Sequence, residues 1–183
     1  STEAILKAID RTPAEIVFVL PNNKNIIMAA QQCQALTEKR VIVVPTTTIP
    51  QGITAMMSLD LEMEPEEILQ TMTDAAENVT TIQITYAARN SEFDGIAINE
   101  GDYLSLLGGK LFGTDQRITS LLEELAREAG KREAEFITLF YGEDVTEEQA
   151  EEAKAIFAAA CPDAELTLVA GGQPVYYYII SLE

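Results

Sequence analysis

The chain has 183 residues, with 12 Lys and Arg against 30 Asp and Glu for a formal charge of −18. That balance repels phosphate backbones and anionic lipid surfaces, so it argues against a nucleic-acid binder or a polybasic membrane anchor. Apolar residues make up 47%, enough for a core, yet no apolar run nears the roughly 20 residues that span a bilayer.

In chain order, residues 3–11 predict a short helix with Ile5, Leu6 and Ile9 on one face. The segment 15–20 is an apolar run that reads as a strand buried on both faces. It stops at Pro21-Asn22-Asn23-Lys24-Asn25, a turn-rich stretch whose last residue suits an N-cap. Helix 26–37 follows, then a second buried strand over 40–44, which runs into the loop Pro45-Thr46-Thr47-Thr48-Ile49-Pro50-Gln51-Gly52. Helices over 51–59 and 65–78 complete this half. Strand, helix, strand and helix without a hairpin signal predict two parallel strands.

The second half changes style. Residues 80–89 alternate and are β-branched, as in a strand with one polar face. Short strands and tight turns at Asp94-Gly95, Gly101-Asp102 and Gly108-Gly109 predict a meander. Helix 115–129 precedes a strand at 135–141, and Thr146 with Gln149 forms a capping box for a helix that stops at Cys161-Pro162. Strands at 164–170 and 175–182 finish the chain. The change of pattern near residue 79 suggests a first lobe over 1–78 and a second over 79–183.

Several catalytic classes lack their residues. There is no histidine, so no Ser-His-Asp triad, Cys-His pair or His-based zinc site can form within this chain. No GxxxxGK[ST] loop is present, and Gly108-Gly109 between short strands reads as a turn. Cys33 and Cys161 are too far apart for a CxxC motif and read as small hydrophobes of a reduced protein.

The best local candidates for binding are the two strand-to-helix loops. In a parallel sheet both emerge at the carboxyl ends of the strands, the usual ligand position. They place Asn22, Asn23, Asn25, Thr46, Thr47, Thr48 and Gln51 beside two helix starts, a chemistry suited to a carboxylate or phosphate oxygen. The plainer alternative is that these residues only cap helices and shape turns. Arg89, one of few cations, could clamp an anion or a partner's carboxylate, or could simply pair with a nearby acid. Gln173 and Tyr177 lie in Gly171-Gly172-Gln173-Pro174-Val175-Tyr176-Tyr177-Tyr178, where three tyrosines in one strand would show phenols on both faces.

Taken in order, Pro21-Asn22-Asn23-Lys24-Asn25-Ile26, the loop 45–52, Ile84-Thr85-Tyr86-Ala87, Asp94-Gly95, Gly101-Asp102 and the stretch 171–178 resemble the C-terminal domain of the dihydroxyacetone-kinase-like proteins, the catalytic component of bacterial fatty-acid kinase. The resemblance spans nearly the whole chain. The family usually reads TYAVRD where this chain has Thr85-Tyr86-Ala87-Ala88-Arg89-Asn90, so a role for an acid at position 90 does not carry over.

The resemblance implies an α/β, DegV-like fold, with a parallel βαβ first half and a mixed or antiparallel α+β second half. It implies a non-catalytic domain that docks a DegV-like fatty-acid-binding protein, whose acyl carboxylate receives the phosphoryl group. ATP and magnesium are then expected in the parent's N-terminal domain, with no cofactor or metal here. The partners expected are that carrier and, as an open alternative, a second copy in a homodimer; nucleic acid and an integral membrane segment are not expected, and the location is cytoplasmic. The competing reading is a DegV-like pocket, vestigial or working, for an acyl chain or small anion.

Overall fold

The computed structural model describes all 183 residues. They fold as two compact units, Ser1–Val79 and Thr80–Glu183.

The first unit is built on two parallel strands, β1 (Ile16–Val19) and β2 (Arg40–Val43), with Val17 opposite Val41. Helix α1 (Thr2–Arg11) precedes them, its N-terminus capped by Ser1 Oγ, which accepts from Ala4 N at 3.2 Å. Alternate strand residues enter two separate cores. Val17, Val19, Val41 and Val43 pack with Ile5, Leu6, Ile9 and Cys33. Phe18, Leu20 and Val44 pack with helices α3 (Ile49–Met57) and α4 (Pro65–Glu77) through Ala55, Ile68, Met72 and Ala76. Burial on both faces, expected of an apolar run, is achieved with helices on each side of only two strands.

The segment 26–37 departs from its predicted helix. Helix α2 covers only Ile27–Gln32 and tightens into a 3-10 turn at Cys33–Ala35. Asn25 does not cap it: the N-cap position falls on Ile26, with no side-chain bond. Asn23 is the reason, because its Oδ1 accepts from Asn25 N at 2.8 Å and closes a local turn that competes with capping. Helix α3 begins two residues before its predicted start, because Thr48 is the N-cap and Pro50 fits the first turn.

The second unit is a six-stranded sheet in the order β7-β6-β3-β10-β8-β9. Its strands are β3 (Thr80–Tyr86), β6 (Tyr103–Leu107), β7 (Lys110–Asp115), β8 (Phe136–Tyr141), β9 (Glu165–Ala170) and β10 (Tyr178–Leu182). A small hairpin, β4 (Ser91–Phe93) and β5 (Ile96–Ile98), stands apart. All pairs in the large sheet are antiparallel except β8 with β9. Helices α5 (Ile118–Lys131) and α6 (Glu147–Ala160) supply Leu121, Leu125, Ala150 and Phe157 to one core, which buries Ile82, Ile84, Leu139 and Ile180 of the sheet. The capping box at Thr146 and Gln149 forms with both bonds present. The Asp94-Gly95 and Gly108-Gly109 pairs all have positive φ, from 50° to 81°, the geometry of two-residue hairpin turns.

One strand starts later than its sequence predicts. The sequence places its start at residue 175, but β10 begins at Tyr178. Val175 sits at φ 71° and Tyr176 N bonds back to Pro174 O at 2.7 Å, so the chain turns here. Only the last of the three tyrosines therefore lies in the strand. Tyr178 is 2% exposed, and its Oη donates to the Gln149 carbonyl at 3.3 Å.

Candidate functional site

In the first unit, the loops after β1 and β2 meet. Asn22 takes a left-handed conformation, φ 56°, which asparagine tolerates better than most residues. Its backbone N donates to Thr46 Oγ1 at 3.0 Å, and Thr46 is 0% exposed. The Asn22 side chain lies against Gly52 at the start of α3, and its Oδ1 is buried without a partner. Thr47, Thr48 and Gln51 satisfy one another: Thr47 N and Oγ1 donate to Gln51 Oε1 at 2.8 and 2.9 Å, and Gln51 N donates to Thr48 Oγ1 at 3.4 Å. Asn23 and Asn25 form their own exposed turn.

The tertiary structure thus brings Asn22 and Thr46 together and binds Thr47, Thr48 and Gln51 into one helix-capping group. Asn23 and Asn25 stay outside both. What opens beside Asn22 is apolar: a groove of about 430 Å³ lined by Leu20, Asn22, Gly52, Ile53, Met56 and Met57. Ile49, Ile53, Met56 and Met57 form an exposed stripe along α3. Sequence reasoning missed this stripe. Its signal was present, since apolar residues at 49, 53, 56 and 57 have helical spacing, but periodicity does not tell which face is covered. The buried face of α3 is made instead of small residues, Gly52 and Ala55.

In the second unit, Arg89 is exposed and makes no ion pair, so the simple intramolecular pairing does not occur. Asn90 Oδ1 accepts from Glu100 N at 2.7 Å, a loop contact that an asparagine makes without a charge. Gln173 is a staple: its Nε2 donates to Phe140 O at 3.0 Å and Tyr176 O at 3.3 Å, while its own backbone carbonyl accepts from Glu143 N at 3.0 Å. Gly142 allows this close approach, since a Cβ there would overlap Tyr176 O and lie 2.7 Å from Gln173 O. The loop so held presents Val175, which is 53% exposed at its unfavourable φ, with its carbonyl accepting from Thr85 Oγ1 at 3.0 Å.

Tyr177 packs edge-on against Tyr103 and Tyr86, with ring centroids 5.3 and 6.2 Å apart. Burial pushes its phenol pKa up, and Tyr103, Asp144 and Tyr86 add to the effect. Burial likewise raises the Cys33 and Cys161 thiols, which suits inert, packed cysteines. No cluster of three or more His, Cys, Asp or Glu side chains could hold a metal ion. No helix is long and apolar enough to cross a membrane.

The parallel pair flanked by helices and the mixed sheet with two helices on one face define a DegV-like α/β protein. The fold is shared with the Streptococcus pneumoniae fatty acid kinase B3 protein loaded with linoleic acid, at TM-score 0.70 and 12% identity, over 100% of this chain and 76% of that one. A DegV family protein of Corynebacterium glutamicum matches at TM-score 0.71 and 15% identity, over 99% and 79%. The dihydroxyacetone kinase of C. freundii, solved with AMP-PNP and Mg2+, matches at TM-score 0.66 and 13% identity, over 100% and 41%.

Sequence comparison is more specific. Residues 1–183 match the FakA-like C-terminal family of fatty acid kinases, and the chain belongs to that family. Protein YloV of Bacillus subtilis is 36% identical over 183 residues, and an uncharacterized protein of Staphylococcus aureus (strain USA300) is 32% identical over 183. All of this chain is covered in both cases, and it spans about a third (33%) of the length of each relative.

Proposed function

We propose that this chain is the non-catalytic docking domain of a fatty-acid kinase, which holds a DegV-like fatty-acid-binding protein while its acyl carboxylate receives a phosphoryl group. Val175 is the observation that carries the reading. A β-branched residue at positive φ costs about 1–3 kcal/mol, and this one is fixed there by the Gln173 staple and the Thr85 bond while its side chain faces solvent. Nothing inside the unit offsets that cost, so a partner surface that packs on Val175 is what the arrangement serves. ATP and magnesium belong, on this reading, to the part of the kinase outside this chain. The Gly108-Gly109 turn does not fit a triphosphate, because it is a hairpin tip with no strand-to-helix transition behind it.

Mixing the protein with a DegV-like fatty-acid-binding protein and measuring the complex by titration calorimetry tests the proposal. A complex is expected, and Val175→Asp should abolish it; sustained ATP turnover by this chain alone would contradict the non-catalytic assignment.

A second reading is favoured by the groove beside Asn22. Its apolar walls and one buried, unpaired amide oxygen suit an acyl chain with a hydrogen-bond donor at its head. Native mass spectrometry of delipidated protein with fatty acids would detect such a ligand, and Ile53→Glu should remove it.

A further inference from the structure

We propose that the end of the second unit's sheet where Tyr86, Tyr103, Tyr177 and Asp144 converge is a seat for a lysine or arginine side chain of a protein partner, with Val175 beside it packing on an apolar neighbour of that residue. This names the chemistry of the docking partner and rests on the docking reading.

The topology brings the four groups together. Tyr86 ends β3 and Tyr103 begins β6, and the two are register partners. Tyr177 immediately precedes β10, which pairs with β3, and its N donates to Ile84 O at 2.8 Å. Asp144 follows β8 in the loop whose Gly142 N donates to Tyr177 O at 2.9 Å. Thr85 ties Val175 to the same strand end.

The cluster has unspent capacity of one kind. Tyr178 uses its hydroxyl on Gln149 O, whereas Tyr86, Tyr103 and Tyr177 contact one another through their rings and make no side-chain hydrogen bond. The groups acting electrostatically on Tyr177 are two phenols and the Asp144 carboxylate, and none is a cation. Asp144 and its neighbour Glu143 are exposed and form no ion pair. Aromatic faces beside a carboxylate attract an ammonium or guanidinium and refuse an anion. The rest of the unit cannot fill the seat internally, since Thr80–Glu183 holds 7 Lys and Arg against 19 Asp and Glu.

Charge also selects the occupant. A second copy of this chain would bring another −18 to the contact, so a partner with a basic face is favoured over self-association. The Gln173 staple and the glycines at 142 and 171 hold the loop before anything binds, which lowers the ordering cost of docking.

The test uses the full-length protein and the DegV-like fatty-acid-binding protein of the same organism, with Kd measured by calorimetry and melting temperature measured alongside. No binding by the unaltered protein overturns the docking reading, and this seat with it. Given binding, Asp144→Lys should weaken it by about tenfold or more and Tyr86→Ala by several-fold, at unchanged melting temperature. Glu165→Lys makes the same charge change at the opposite end of the sheet, where Glu165 is register partner to Phe136, and should alter Kd by less than about twofold. Equal loss from Asp144→Lys and Glu165→Lys would mean diffuse attraction, which overturns the seat and leaves docking standing. Unchanged binding by Asp144→Lys and Tyr86→Ala also overturns it. Restored binding when Asp144→Lys meets a carrier with one Lys or Arg changed to Glu supports it.

Discussion

The side chain of Asn22 occupies the space where Gly52 lacks one. A Cβ built on Gly52 would overlap Asn22 Oδ1 and stand 2.7 Å from Cγ and 2.8 Å from Nδ2. The contact joins the loop after β1 to the first turn of α3 and forms one wall of the apolar groove. Gly52→Ala should therefore displace Asn22 and lower stability by about 1–3 kcal/mol, the usual cost of overpacking. Urea denaturation would measure this. Adding Asn22→Gly should recover most of the loss, because glycine suits φ 56° at that position.

Val175→Gly separates stability from docking. Relief of the positive φ should raise stability by about 1 kcal/mol, while loss of the exposed side chain should weaken the carrier complex. Thermal melts and calorimetry on one variant then move in opposite directions. A drop in both would mean that Val175 supports the fold.

Arg89→Ala tests the unpaired cation. The side chain is exposed and without an ion pair, so stability should change by less than about 0.5 kcal/mol. Weakened carrier binding in a variant with an unaltered melt would assign Arg89 to the docking surface.

Alkaline pH probes the second core. Burial, with Glu152 adding to it, pushes the Tyr178 pKa up from 10.0 to about 12. The folded state thus holds the protonated phenol more firmly than the unfolded state does. Its contribution is complete below about pH 10 and is lost as pH rises through about 12, a change on the order of 2 kcal/mol. Tyr178→Phe should flatten this stretch of the stability–pH curve and cost about 1 kcal/mol at neutral pH for the hydrogen bond to Gln149.

Local signals carried much of the fold. The parallel order of β1 and β2, the two-residue turns at 94–95 and 108–109, and the capping box at Thr146 were legible, because each depends on residues within a few positions of one another. Asn25 and the start of β10 were misread where two local preferences compete: Asn23 takes the bond that a cap would use, and the Pro174–Tyr176 turn overrides the strand tendency of Val175 and the tyrosines. The candidate site was only half legible. The polar loops stood out by composition, yet Thr46, Thr47, Thr48 and Gln51 meet their bonding needs within the protein, which no sequence pattern reveals.

What the chain's order of residues determined by itself was the class of chemistry: no histidine, an excess of acid, and the alternation of strands and helices. What tertiary structure alone decided was which groups remained unsatisfied. The stripe on α3, the strained Val175 and the free phenols of Tyr86, Tyr103 and Tyr177 are defined by what fails to cover or bond them. Covering and bonding are contacts between residues as much as 91 positions apart, such as Tyr86 with Tyr177, so they exist only once the sheet has closed.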